Sequence, residues 1–279
     1  METWDKEKVR QSKKNLEGAD LKGMDLSSID LKNANLISAN LTSADLSGAD
    51  FSGANLFSVK AMRANFENTN LSGATLQKTN LTRANFEGAN LNSADLMGAN
   101  LSQAILAGSN LIRASLVEAS LLEADLTGAD LTEAKLSGRY TREGIFSRGA
   151  NLRKGILAGA KMVRADLVAA ELNETDCRDV DFSGANLSEA SLKKACLVST
   201  CFVNSKLGDA DFRSADLTDS DFSGAELIEA KFQGVDLRKV KNISPQELEL
   251  STIDSKTQIP DYIEVIWTSE DTYECRKKV

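Results

Sequence analysis

A large apolar residue returns at every fifth position from Leu16 to Leu237, usually two places after an Ala and directly after an Asp or Asn. The segments ADLSGADFSGANLFS at 44–58 and ANFEGANLNSADLMGANLSQ at 84–103 show the pattern. This period is too short for the longer solenoid repeats, and a helix would need apolar spacing near 3.6. The period therefore predicts a β-type coil along nearly the whole chain.

Each repeat can be numbered by its large apolar centre, i. Positions i−2 and i are apolar with one polar residue between them, which is typical of an extended segment with one buried face. The next inward pair follows after two further residues, so the chain must turn there, and Gly at i+2 suits a turn, as at Gly48 and Gly53. There are 25 centres from Leu16 to Leu136 and 18 from Leu152 to Leu237. All are Leu or Phe except Ala61, Met162 and Cys177.

The A(D/N)LXX pattern resembles the pentapeptide-repeat family over most of the chain. The resemblance implies an all-β fold, a right-handed quadrilateral β-helix with four repeats per coil and short helical caps. The sequence itself supports four, because Phe and Asn recur at intervals of 20 residues. About eleven coils at roughly 4.8 Å each predict a rod of about 50 Å. The recurring residues predict stacks of Phe182, Phe202 and Phe222 on one face, of Phe212 and Phe232 on the opposite face, of Phe66 and Phe86 earlier, and an amide ladder of Asn70, Asn90 and Asn110.

Catalytic and metal-binding patterns are missing from the sequence. The chain has no His, which removes the commonest general base and metal ligand. The many Asp residues at i−1 point outward from a filled rod, whereas catalytic carboxylates need a cleft. The spacing of Cys177, Cys196, Cys201 and Cys275 fits neither a disulfide nor a zinc site, so we expect reduced structural thiols. We therefore predict no enzymatic activity, no metal and no cofactor.

Charge and hydropathy limit the partners and the compartment. The net charge is −8, without the clustered Lys and Arg that nucleic-acid binding needs. No stretch approaches the roughly 18–20 apolar residues of a membrane span, and the charged N-terminus lacks the apolar core of a secretion signal. A cytoplasmic location is the expectation, without direct nucleic-acid binding.

The five-residue frame breaks once, because Leu152 falls one residue late after Leu136. We interpret this as one extra residue near Arg148. The predicted organisation is an N-terminal cap at 1–15, the first part of the β-helix at 16–136, a frame break or loop at 137–151, the second part at 152–241 and a C-terminal cap at 242–279. The break is either a tolerated insertion or a projecting basic loop that contacts a partner through Arg139, Tyr140, Arg142 and Arg148.

Both ends depart from the repeat, as the ends of a solenoid must. Residues 3–14 predict a short helix with Thr3 as N-cap and with Trp4 and Val9 covering the first coil. Near the other end, Ser244 as N-cap, Pro at N1 and Glu247 at N3 predict a helix with a capping box. This S-P-x-E-L tail resembles the C-terminal cap of bacterial, notably cyanobacterial, pentapeptide proteins. Its aromatic residues either cap the rod or form a dimer interface or binding surface; they are Tyr262, Trp267 and Tyr273.

Apolar residues at the outward position i+1 indicate a docking face. Ile37, Phe57, Met97 and Val117 are separated by multiples of 20, and Met62 and Leu122 fall on the neighbouring row. If the break adds one residue, the first row continues through Ala158 and Val198 and the neighbouring row through Val163 and Val203. Scattered exposed apolar residues are also normal on any surface.

We therefore predict a noncatalytic interaction or scaffold protein that presents the flat faces of a rigid rod to an unknown protein partner, as a monomer or a homodimer. The alternative is a DNA mimic that inhibits or protects DNA gyrase, as in the quinolone-resistance branch of the family. The acidic composition permits that alternative, and 13 basic residues within 152–241 weigh against it.

Overall fold

The structure is a computed structural model that describes residues 4–138, 149–269 and 272–278. Its body is a continuous coil in which parallel bridges join residues 20 apart, beginning with Asp20 and Asn40. Four repeats therefore complete one turn, and eleven coils stack. The centres form four vertical rows, called the first to fourth rows, which begin at Leu16, Leu21, Leu26 and Leu31. Outside the coil, the described residues contain helices α1 (Lys6–Gln11) and α2 (Pro245–Glu249) and strands β1 (Ile263–Trp267) and β2 (Tyr273–Lys277).

Nearly every repeat ends in a tight turn whose residue at i+2 has a positive φ. The turn closes with a hydrogen bond from i+3 to i, for example from the N–H of Ala19 to the carbonyl of Leu16 at 3.1 Å. Of 41 such turns, 13 have Gly at i+2 and 28 have another residue. The common residues among these 28 are Ser, Asn, Arg and Glu. The left-handed backbone of a residue other than Gly costs about 1–2 kcal/mol. None is Val, Ile or Thr, because branching at Cβ is least compatible with this backbone region.

The Asp or Asn at i−1 completes the hydrogen bonding of the backbone. In the repeat centred on Leu96, the N–H groups of Leu96 and Gly98 donate to the coil above at 2.7 and 2.9 Å, and that of Asp95 donates to the coil below at 2.9 Å. The N–H of Ala94 closes the preceding turn. The fifth N–H, that of Met97, donates to Oδ1 of Asp95 at 3.1 Å. This side-chain acceptor recurs in all four rows, so an Asp or Asn before the centre satisfies an N–H that neither the turn nor the stack reaches.

The interior is filled by the centres and by the small residues at i−2. All 43 centres are at most 2% exposed. The Phe stacks are confirmed, with ring centroids 5.5 and 4.9 Å apart in the fourth row, 5.0 Å in the second and 4.7 Å in the third. The expected amide ladder is present in part: Asn90 donates to Asn70 at 3.3 Å, and Asn70 donates to Asp50 at 3.2 Å. The side chain of Asn110 accepts the N–H of Ile112 at 3.0 Å and makes no bond with the side chain of Asn90.

The frame break is an insertion of eleven residues. Ser120 pairs with Asn151, and Lys135 pairs with Asp166, and both separations are 31 residues instead of 20. The expectation of one extra residue is therefore wrong. The coil leaves at Gly138 and resumes at Gly149, and the N–H of Ala150 donates to the carbonyl of Leu136 at 2.6 Å, which closes the interrupted turn.

Helix α1 covers the lower end of the coil. Its N-cap is Asp5, whose side chain accepts the N–H of Lys8 at 2.8 Å, so the helix is shorter than expected and does not begin at Thr3, which lies outside the described residues. Asp5 takes this position because its carboxylate reaches the N–H three residues on, as an N-cap must. Val9 is fully buried and Trp4 is partly buried against the core, as expected.

The C-terminal segment covers the upper end. Thr252 and Gln258 pair with Lys231 and Asp236 and so extend the second and third rows. Ser244 caps α2 as expected, because its Oγ accepts the N–H of Glu247 at 3.1 Å. The carboxylate of Glu247 does not complete a capping box but accepts the N–H of Leu227 at 3.1 Å. In a lower coil that N–H donates to the coil above, so the carboxylate replaces the missing carbonyl.

Candidate functional site

The apolar i+1 residues of the first row lie one above another. The bridges place Ile37, Phe57, Met97 and Val117 in the second, third, fifth and sixth coils. Each side chain is partly exposed at the corner that follows the first-row centre. The i+1 positions of this row carry a single charge, at Glu17. The row is therefore a mainly apolar ridge parallel to the axis of the rod. It is interrupted at Gln77, Ser137, Ser188 and Gly208.

The insertion changes which residues continue this ridge. Because eleven residues are inserted instead of one, Val168 and Ile228 stand in the first row, and Ile228 is 56% exposed. The expected continuation was wrong: Ala158 and Val198 belong to the third row, and Val163 and Val203 belong to the fourth. Met62 and Leu122 do lie on the second row, where Met62 is 39% exposed.

The ridge ends in a residue that the sequence pattern did not indicate. The N–H of Asp209 donates to the carbonyl of Ile228 at 2.9 Å, and the N–H of Glu229 donates in the same way to Leu250 at 2.8 Å. Leu250 therefore takes the place of an i+1 residue one step above Ile228, and it is 50% exposed. We define the apolar ridge as Ile37, Phe57, Met97, Val117, Val168, Ile228 and Leu250.

The insertion adjoins this ridge along the chain. The insertion begins at the corner between the first and second rows, directly after Ser137 of the first row. Gly138 and Gly149 donate to the neighbouring carbonyls of Val168 and Ala169, both at 3.1 Å, so the two ends of the insertion lie side by side. The four residues proposed to contact a partner lie outside the described residues; they are Arg139, Tyr140, Arg142 and Arg148.

Charges on the coil are separated into vertical stripes. Among the outward positions i−1, i+1 and i+2, the third row has ten acidic and three basic residues, and the second row has five acidic and ten basic residues. The first row has eight acidic and three basic residues, and the fourth row has six acidic and four basic residues. The acidic third row therefore lies beside a basic row.

Several carboxylates are held in the ionised form, which is the opposite of what a general acid needs. At Asp211, burial raises the pKa, but hydrogen bonds from Arg213 and Lys193 outweigh this effect and lower the pKa to about 2. Hydrogen bonds from Arg178 lower the pKa of Asp176 in the same way. The arrangement fits ion pairing along the rod surface.

The four cysteines are free thiols. Cys177 is a buried centre, and burial raises the pKa of its thiol to about 12. Within the described ranges, no group of three or more Cys, Asp or Glu residues is placed to hold a metal ion. In the same residues, no helix is long and apolar enough to cross a membrane.

Comparison with known families and structures gives consistent matches to one repeat type. The family model described as pentapeptide repeats matches eight copies, at residues 15–57, 64–103, 104–138, 170–209 and 205–241. Comparison with curated proteins gave no match.

Solved structures of pentapeptide-repeat proteins are also similar. HetL, a protein involved in heterocyst differentiation regulation from the cyanobacterium Nostoc sp. strain PCC 7120, is 29% identical, with 79% of this chain and 92% of that chain covered and a TM-score of 0.40. A trypsin-treated form of QnrB1, a plasmid-mediated fluoroquinolone resistance protein, is 18% identical over 67% of this chain and 90% of that chain, with a TM-score of 0.43. Rfr23 from the cyanobacterium Cyanothece 51142 is 19% identical over 48% and 90%, with a TM-score of 0.21.

Proposed function

The chain belongs to the pentapeptide-repeat family, and we propose that it is a noncatalytic interaction protein whose right-handed β-helix presents the apolar ridge to a protein partner. The observation that carries the proposal is the alignment of the ridge. Seven partly or largely exposed apolar residues stand on one of four rows, whereas i+1 positions elsewhere are mainly polar.

A stack of coils suits this function because it fixes the spacing of the contact residues. Neighbouring coils lie about 4.8 Å apart, so Phe57 and Met97 are separated by roughly 10 Å along the axis. The backbone bonds above and below each repeat hold these positions, so little conformational freedom is lost when a partner binds. The filled interior supports a role for the outer surface.

The test is the double substitution Phe57→Asp with Met97→Asp. The third row already carries Glu67 and Glu87 at i+1, so an acidic residue fits this turn position and the fold should survive. Each side chain contributes part of the roughly 1.5–3 kcal/mol of full burial, so the pair should weaken binding by about 2–3 kcal/mol, or roughly 30–150-fold. Affinity capture from a lysate of the source organism, followed by titration of the captured partner, measures the effect.

The matched control is Asn92→Asp with Thr132→Asp. These residues are also at i+1, two coils apart, but on the fourth row. We expect this control to retain the partner that the ridge variant loses. Equal capture by the wild type and both double variants would refute the proposed surface.

The DNA-mimic alternative has one observation in its favour, the seven excess acidic charges of the third row. Duplex DNA carries one charge per about 1.7 Å, or roughly 30 charges over a rod of about 50 Å. The net negative charge of the third row is far smaller than that of DNA, and the basic second row lies beside it. We therefore rank gyrase binding second. A supercoiling assay tests it directly: inhibition or protection of gyrase at micromolar protein would reverse the ranking.

A cytoplasmic location is part of the proposal, because four unpaired thiols are typical of a reducing compartment. Labelling of the thiols in intact cells, with and without oxidant, tests it.

A further inference from the structure

In the C-terminal cap, the outer edge of strand β1 is exposed, whereas other outward-facing backbone N–H groups in this region are bound by carboxylates. Three carboxylates of the cap each accept a backbone N–H that faces away from the last coil or from the hairpin. Glu247 accepts from Leu227 at 3.1 Å, Asp254 accepts from Gly234 at 2.9 Å, and Glu249 accepts from Cys275 at 3.2 Å. The last of these contacts covers the outer side of β2. The outer side of β1 has no comparable cover in the part of the chain that the structure describes.

The register shows which groups of β1 are directed outward. Ile263 lies opposite Lys277 and Trp267 lies opposite Tyr273. The N–H of Lys278 donates to Tyr262 at 2.9 Å, and that of Thr268 donates to Thr272 at 2.8 Å. Hydrogen-bonded pairs alternate in an antiparallel ladder, so the even-numbered residues of β1 face β2. The N–H and C=O groups of Val265 and Trp267 therefore point away from the sheet, and they bond no described residue.

Nothing in β1 protects this edge. Natural edge strands carry Lys, Pro or a bulge that prevents pairing. The sequence IEVIW has none of these, and its single charge, at Glu264, is bound by Arg276 at 2.8 Å. Trp267 is 40% exposed. A two-stranded hairpin is also marginal by itself and gains stability from further strands.

We infer that β1 pairs with β1 of a second copy of this chain, antiparallel about a two-fold axis at Ile266. Val265 then lies opposite Trp267 of the partner, and the two copies exchange four backbone hydrogen bonds through these residues. The hairpins of the two copies become one four-stranded sheet, and the two rods are joined at their C-terminal ends.

The strand is complementary to itself in this register. On the side that faces the cap, Val265 meets the indole of the partner's Trp267, so the exposed aromatic ring is covered. On the other side, Ile266 meets its own copy. Glu264 lies opposite Thr268, so no like charges face each other across the axis. An isologous interface requires this kind of self-matching, which an unrelated partner strand would not need.

The first test is sedimentation equilibrium of the full chain with and without Val265→Pro. The N–H of Val265 points away from β2, so proline removes an intermolecular donor and leaves the β1–β2 ladder intact. We expect the wild type to approach twice the 30.1 kDa monomer mass at micromolar concentration and the variant to remain at 30.1 kDa while it keeps the circular dichroism spectrum of the folded coil. Glu274→Ala, on the exposed face of β2, is the control that should still dimerise. A wild type that is monomeric at every concentration overturns the inference.

The second test fixes the register with Ile266→Cys in a Cys275→Ser background. A two-fold axis at residue 266 makes it a non-hydrogen-bonded pair with its copy, with Cα atoms about 4.5 Å apart, which suits a disulfide. Mild oxidation should give a covalent dimer on a non-reducing gel. Val265→Cys in the same background should not, because residue 265 pairs with 267. Equal crosslinking of both variants would refute the register. The Phe57→Asp/Met97→Asp variant should keep the dimer mass, which separates this inference from the proposed ridge.

Discussion

The side chain of Asn90 makes two hydrogen bonds whose contributions can be separated by substitution. Its Oδ1 accepts the N–H of Asn92 at 3.1 Å, and its Nδ2 donates to Oδ1 of Asn70 at 3.3 Å. Each bond contributes about 0.5–1.5 kcal/mol, and loss of the first also leaves a partly buried N–H without an acceptor. Asn90→Ala should therefore reduce local stability by about 1–3 kcal/mol.

Asn90→Asp keeps the acceptor and removes only the donor. The carboxylate still caps the N–H of Asn92, and the amide of Asn110, which stacks directly above, can donate to it. We expect this variant to lose less than half of what Asn90→Ala loses. Thr75→Ala is the matched control at the same i−1 position, since the Thr75 side chain bonds no described residue, and it should change local stability by less than about 0.5 kcal/mol.

Amide hydrogen exchange is the appropriate assay, because a stack of coils can open locally without unfolding as a whole. For Asn90→Ala, exchange in the peptide that contains Asn92 should accelerate by roughly 5–150-fold. The reasoning is refuted if Asn90→Ala leaves that exchange unchanged, or if Asn90→Asp accelerates it as much as Asn90→Ala does.

Three further predictions follow from single positions. Gly88→Ala should lower the free energy of unfolding in urea more than Gly108→Ala does. Both glycines have φ above +60°, but only at Gly88 would an added Cβ lie 2.6 Å from Oδ1 of Asn68. In an Asn68→Ala background the two substitutions should therefore have equal effects. The ion-paired Asp211 has a pKa of about 2 in the folded protein, which is below its value in the unfolded chain. Its contribution to stability is therefore complete above pH 4 and is lost as the pH falls toward 2. Asp211→Asn should flatten the curve of unfolding free energy against pH in that interval, and an unchanged slope would contradict this. A thiol reagent should leave Cys177 unmodified in the native protein and label it in urea, and labelling without denaturant would contradict its burial.

The regular part of the fold could be predicted because every repeat obeys the same local constraints. The alternation of Ala and Leu follows from the narrow interior, and the Asp or Asn before Leu follows from one backbone N–H. The intervals between Phe182, Phe202 and Phe222 indicated four repeats per coil, and their rings do stack.

The five-residue pattern could not predict the length of the insertion. Insertions of one, six and eleven residues all move the apolar centres by one position relative to the period, so they give the same pattern. The missing information is the stacking partner, which is 31 residues away for Ser120 and Lys135. For the same reason the apolar ridge was placed correctly below the insertion and incorrectly above it.

The caps lie outside the period and were less predictable. Asp5 and Thr3 are both acceptable N-cap residues, and the choice depends on how α1 meets the first coil. The sequence predicted the start of α2 at Ser244, but the carboxylate of Glu247 binds a coil that is 20 residues distant. Leu250 joins the ridge only because the folded cap places its carbonyl above Ile228.

The two ends of the insertion lie side by side, so this corner is a suitable place to graft a foreign peptide. Ala150 closes its turn on Leu136 with the same kind of bond as an uninterrupted repeat, and the coils on either side keep their stacking. The described bonds on either side of the insertion therefore do not require a fixed number of residues between Gly138 and Gly149. An epitope or a short binding peptide grafted between Gly138 and Gly149 would be displayed at a defined height beside the ridge, and the rod would need no redesign to carry it.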